Sequence, residues 1–129
     1  MEDGPPAAAQ LPSVLLVEDE PGLLMLFSTE LKNDCRLFTA STAAEAENRL
    51  AARRYDVIVC DHMLPGEQGL DFLARVMETM PSTKRILVTG YTSPEFVSRS
   101  VAIAGLSACL VKPVRGAEIL KAIKEALAR

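Results

Sequence analysis

Five short apolar runs recur along the chain: VLLVE (14–18), RLFTA (36–40), VIVC (57–60), RILVT (85–89) and ACLV (108–111). Each is followed by a stretch with helical spacing and not by a hairpin turn. This alternation constrains the fold more than any other feature. Strands joined through helices lie parallel, and a parallel sheet needs helices on both of its faces. The helical stretches carry their own punctuation. Pro21 suits a first helical turn ahead of Leu24, Phe27 and Leu31, with the helix reaching residue 32. Thr42 and Glu45 form a capping-box pattern before an Ala-rich helix. A third helix is predicted from about Leu70 to Met77, stopping before Pro81. Ser93 and Pro94 open a fourth that ends near Gly105. Val114 to Ala128 form the fifth, with Leu120, Ile123 and Leu127 facing inward. The expected fold is α/β: a doubly wound, five-stranded parallel sheet with five helices, without a repeat or a second domain.

Residues 1–12, MEDGPPAAAQLP, are acidic and proline-rich and are expected to be a disordered tail; residues 13–129 form the folded domain. A net charge of −3 gives no broad electrostatic basis for binding nucleic acid or an anionic membrane. No stretch approaches the roughly eighteen uninterrupted apolar residues of a membrane span. Cys35, Cys60 and Cys109 are odd in number and scattered. That pattern suits buried thiols in a reducing cytoplasm better than a disulfide frame or a zinc site. The cytoplasm is the expected location.

In sheets of this kind function sits beyond the carboxyl ends of the strands. The first run leads into Glu18, Asp19 and Glu20, the third into Asp61, the fourth ends in Thr89, and the fifth leads into Lys112 and Pro113. Each residue has an ordinary structural explanation. Asp61 could open a turn, Glu18 and Asp19 could cap a helix, and Lys112 could snorkel from a strand end. Together they place acids, one hydroxyl and one ammonium along a single rim. Several acids held close repel one another, and a hard divalent ion such as Mg²⁺ relieves that repulsion. One carboxylate can then attack phosphorus, with Lys112 and Thr89 steadying the transferred oxygens. On this reading Asp61 stands at the tip of a buried strand to be phosphorylated.

The motifs VLLVEDE, CDHMLPGEQG, LVTG and LVKP, in this order and each at a strand end, resemble the receiver domain of two-component response regulators. The resemblance covers residues 13–129 and implies a flavodoxin-like fold with strand order 2-1-3-4-5. It also implies roles. Asp61 matches the phosphoacceptor, Asp19 the acid that binds Mg²⁺ directly, and Glu18 the acid that acts mainly through water. The backbone carbonyl of Met63 would complete the protein ligands. Thr89 and Lys112 match the groups that hold the phosphoryl oxygens, and Gly69 the glycine that opens the third helix. The Lys112–Pro113 bond is expected to be cis. The implied partners are a sensor histidine kinase or phosphotransfer protein and an unknown downstream target, with no direct nucleic acid or membrane contact. The chain would be a monomer or a phosphorylation-dependent dimer. The output surface would be the fourth helix, fifth strand and fifth helix. Arg129 closes the last helix, which fits either a single-domain regulator acting by docking or a piece of a longer regulator or hybrid kinase.

One position departs from the family. Receivers usually carry Tyr or Phe three residues before the lysine, and here that residue is Cys109. A thiol has no ring to swing between exposed and buried states. Tyr91, two residues after Thr89, either offers a substitute ring or caps the mouth of the site. His62 is expected to be a surface loop residue and Cys60 to be strand core. Two alternatives belong to other classes. A degenerate pseudo-receiver would bind partners without taking phosphate, an idea that Cys109 supports and the full set of rim residues opposes. A haloacid-dehalogenase-type phosphatase would need an acid two residues after the nucleophile, where this chain has Met63. The expected activity is therefore not enzymatic, beyond self-phosphorylation and self-dephosphorylation.

Overall fold

A computed structural model describes residues 10–91 and 93–129. The tail expected over residues 1–12 lies mostly outside the described residues. The elements alternate as β1 (Ser13–Val17), α1 (Pro21–Leu31), β2 (Arg36–Ala40), α2 (Ala43–Ala52), β3 (Val57–Asp61), α3 (Gly69–Thr79), β4 (Lys84–Thr89), α4 (Pro94–Ala104), β5 (Ala108–Val111) and α5 (Gly116–Leu127). All neighbouring strands pair in parallel, in the order β2-β1-β3-β4-β5. The fold is the one the alternation predicts. The strand order reverses at β1, so the carboxyl ends of β1 and β3 flank the switch point, where a crevice opens.

The buried strands divide their side chains between two cores. Val14 and Leu16 of β1, with Val57 and Val59 of β3, meet Phe27 and Leu31 of α1 and Ile119, Ala122 and Ile123 of α5. Leu15 and Val17, with Ile58 and Cys60, meet α2, α3 and α4 through Leu50, Phe72, Leu73, Val76 and Ala104. This period-two division explains why β1 and β3 read as unbroken apolar runs, since both faces of the sheet are covered. Cys60 is fully buried, as expected of strand core. Within the described residues no helix is long and apolar enough to cross a membrane.

Two expectations are corrected. Leu127 is 39% exposed, and α5 buries Ile119, Ala122, Ile123 and Ala126 instead, with Leu120 half-buried. The inward stripe therefore includes alanines, which let α5 approach closely but carry little apolar signal. The second correction is the start of α5, at Gly116 and not Val114. The Lys112–Pro113 bond is cis, and the chain turns through Val114 before Glu118 reaches back to accept from the Arg115 N–H at 2.9 Å.

Candidate functional site

Each group at the rim is placed by the strand end that carries it. β1 stops at Val17, leaving Glu18 buried and Asp19 exposed. Neither caps α1. That task belongs to Glu20, whose carboxylate accepts from the N–H groups of Gly22 and Leu23 at 2.9 and 2.8 Å. Those two bonds hold its carboxyl below the ordinary value. An acid just before a proline at the first helical position was the available signal for this cap. With Glu20 engaged at the helix, Glu18 and Asp19 remain over the crevice. Oxygens of Glu18, Asp19 and Asp61 all lie within 4.8 Å of one another. Burial raises the Glu18 carboxyl above its ordinary value, and the nearby charges of Asp61 and Asp19 add to this. An N–H from Glu20, 3.0 Å from Glu18 Oε2, and the charge of Lys112 oppose it.

Asp61 ends β3 and is 4% exposed. Lys112, just past β5, brings Nζ to 2.6 Å from Asp61 Oδ1. Its own backbone N–H donates to the Thr89 carbonyl at 2.8 Å, so β4 sets where the lysine leaves the sheet. The ammonium contact lacks hydrogen-bond alignment, and Oδ1 is a buried oxygen with no directed donor. Thr89 ends β4, 1% exposed, and its hydroxyl accepts from the Tyr91 N–H at 3.0 Å. Met63 lies in the loop after β3 and is 58% exposed. The Pro-Gly turn that follows has a simple cause: Gly66 sits at φ 85°, a left-handed backbone that side chains disfavour. Gly69 then returns the chain to the strand, its N–H donating to the His62 carbonyl at 2.8 Å. The structure thus brings the sequence-predicted acids and lysine into one cluster, with the Thr89 hydroxyl at the adjoining strand end.

His62 corrects an expectation. It is 2% exposed and not a surface loop residue. Its ring meets those of Tyr91 and Phe96 edge-on, with centroids 5.5 and 5.2 Å away, while Tyr91 and Phe96 meet each other at 5.0 Å. Burial lowers its pKa, against the opposing charges of Asp61 and Asp71, and its buried Nδ1 has no hydrogen-bond partner. Nothing in the local sequence marks this placement, because the covering ring of Phe96 comes from α4.

The family profile described as response regulator receiver domain matches residues 14–124. The hydrogenase transcriptional regulatory protein HoxA of Cupriavidus necator is 32% identical over 115 residues, which are 89% of this chain and 24% of that protein. The DNA-binding transcriptional activator DevR/DosR of Mycobacterium tuberculosis is 33% identical over 116 residues, 87% of this chain and 52% of that protein. The chain thus spans between a quarter and about half of the length of these curated relatives. Among solved structures, a CheY-like response regulator receiver domain protein from Methanospirillum hungatei has a TM-score of 0.84 at 30% identity, covering 92% of this chain and 95% of that one. The BeF3-activated DrrB receiver domain has a TM-score of 0.83 at 28% identity, covering 93% of this chain and all of that one.

Proposed function

This chain belongs to the receiver-domain family of two-component response regulators, and from that premise we propose that it accepts a phosphoryl group on Asp61, with Mg²⁺, and thereby switches an output-binding face. The donor is a sensor histidine kinase or a phosphotransfer protein. The observation that carries this reading is the buried Asp61 oxygen beside Lys112, with two further carboxylates within 4.8 Å. Receiver domains are signalling modules and not enzymes acting on a separate substrate. The three cysteines are free thiols, which supports a cytoplasmic setting.

The residues present fit a hard divalent cation. All three acidic side chains offer oxygen, the donor such ions favour, and one buried oxygen of Asp61 has no directed donor. Asp19 would be a direct ligand, Asp61 another, Glu18 would act mainly through water, and the Met63 carbonyl would complete the protein set. Bound there, Mg²⁺ supplies charge neutralisation for the carboxylates and the phosphoryl oxygens. An Asp61 carboxylate oxygen forms the new O–P bond as the bond from phosphorus to the donor breaks, and the donor leaves with that electron pair. Lys112 neutralises the gathering negative charge, and the Thr89 hydroxyl donates to a phosphoryl oxygen. The product is a mixed anhydride carrying fresh negative charge at the rim. The proposed output surface is α4, β5 and α5.

Intact-mass measurement after incubation with Mg²⁺ and acetyl phosphate should show a gain of one phosphoryl group, and none when the metal is chelated. An unchanged mass in both would leave a pseudo-receiver as the better reading. The ligand roles predict an order of effects. Glu18 is buried and already accepts from Glu20, whereas Asp19 is exposed. Glu18→Ala should weaken Mg²⁺ binding on the order of tenfold, and Asp19→Ala by more. Calorimetric titration giving the reverse order would show that the two roles are exchanged.

A further inference from the structure

Phosphorylation at Asp61 must be felt on α4 if that helix belongs to the output face, yet β5 carries no ring to transmit it. Its residues are Ala108, Cys109, Leu110 and Val111, and Cys109 is a half-buried thiol packed against the α2–α4 side core. The only ring cluster touching both the acceptor strand and α4 lies elsewhere among the described residues. His62 is bonded in sequence to Asp61, Tyr91 follows the β4 threonine by two, and Phe96 sits in the first turn of α4. The three rings close a triangle of edge-on contacts.

Two sides of this triangle are tied to the site. The His62 backbone is fixed, its N–H donating to the Val88 carbonyl at 2.8 Å and its carbonyl accepting from Gly69. Tyr91 is tied to the very hydroxyl that would move, through its N–H on Thr89 Oγ1 at 3.0 Å. Rotation of Thr89 towards a phosphoryl oxygen either breaks that bond or carries the Tyr91 backbone along. Tyr91 is half exposed, which leaves room for a second side-chain position. Phe96, in contact with both other rings, would move with it.

The two ends of α4 are held differently. At its C-terminal end the buried Arg85 donates through Nε to the Ala104 carbonyl at 2.8 Å and through Nη2 to Gly105 at 3.0 Å. Its Nη1 donates to the Thr83 carbonyl at 2.6 Å, anchoring that end to the loop before β4. Between the ends, the helix presents Ser100 inward, fully buried with an unpartnered hydroxyl. A helix anchored at one end by hydrogen bonds and held at the other by ring contacts is a lever.

We propose that the His62–Tyr91–Phe96 ring cluster is the relay from the phosphorylated site to α4 in this protein, taking the place of the missing β5 ring, and that α4 swings about the Arg85 anchor. This rests on the reading of Asp61 as the acceptor. The test is NMR of the full chain with Mg²⁺, with and without beryllofluoride. Binding is read from the ¹⁹F signal of the bound ligand, and the response from amide shifts along α4. In the native chain, amides of residues 95–98 should shift more than those of 103–106. Tyr91→Ala and Phe96→Leu should retain the bound ¹⁹F signal, while their α4 shift changes fall to roughly half or less of the native ones. Retained ligand with undiminished α4 changes in both variants would overturn the relay and leave the acceptor reading standing. Equal shifts at both ends of α4 would overturn the lever. If the native chain binds no beryllofluoride, the acceptor reading fails, and the relay with it.

Discussion

Asp61→Asn should take up no phosphoryl group under conditions that fully label the native chain. The amide has nearly the same shape, but its oxygen carries no full negative charge and is a far poorer nucleophile toward phosphorus. The substitution also removes one of the oxygens proposed to hold the metal, so both requirements of the chemistry are lost at once. A skeptic would ask whether the variant simply unfolds, since Asp61 is buried and paired with Lys112. The charge balance argues otherwise. Asp61 is attracted by one ammonium that is 34% exposed. It is repelled by two carboxylates with oxygens within 4.8 Å. Unit charges at such a separation repel by about 3 kcal/mol at an effective dielectric of 20, and less where Asp19 meets solvent. At 2.6 Å the Lys112 attraction is about 6 kcal/mol on the same scale, comparable to the two repulsions together. Replacing Asp61 by a neutral residue therefore removes terms that largely cancel, and Lys112 can turn towards water. Without Mg²⁺ the variant should therefore melt close to the native protein. Labelling of Asp61→Asn equal to native, by intact mass, would mean that another residue accepts the phosphoryl group.

Much of this site is legible in the sequence. Strand ends are marked in sequence wherever a buried apolar run stops abruptly at a polar residue, and Asp61, Thr89 and Lys112 are all marked this way. Parallel topology then carries those ends to one rim. Glu18 and Asp19 were legible for the same reason, although the adjacent Glu20 blurred which acid belonged to the helix. What could not be read is what depends on a covering element from elsewhere in the chain. His62 stands in a turn motif, where a polar residue is ordinarily exposed, and it is buried because α4 lays Phe96 across it. Arg85 looks like an ordinary charged residue at a strand start, but its guanidinium is buried against carbonyls at the end of α4. The expected inward phase of α5 fails at Leu127 because half of the buried stripe is alanine. Small residues at Ala122 and Ala126 report close packing, which a search for large apolar side chains does not detect.

Gly69→Ala should be the most damaging single-methyl substitution at the site. A Cβ at this position would stand 2.1 Å from the Asp61 carbonyl oxygen, 2.9 Å from its carbon and 3.0 Å from Cys60 Sγ. The closest of these is backbone on the acceptor residue itself, so no flexible side chain can give way. Either α3 must lift from the end of β3 or Asp61 must shift. Overpacking of this kind costs typically 1–3 kcal/mol, and a clash with backbone belongs at the upper end of that range. The intrinsic preference of a helix for Ala over Gly returns at most about 1 kcal/mol. The expected net loss is ~2 kcal/mol, which lowers Tm by roughly 5–10 °C in a domain of this size. Gly90→Ala is the matched control, because a Cβ there would meet nothing within 4 Å. It should melt close to native. The functional consequence follows from the same contact: displacing the Asp61 backbone moves its carboxylate away from Lys112. Phosphorylation from acetyl phosphate should therefore slow in Gly69→Ala even well below its Tm. A variant that melts within a degree or two of the native chain and labels at the native rate would show that α3 and β3 separate without disturbing the acceptor, and that the glycine is not what seats Asp61 in the rim.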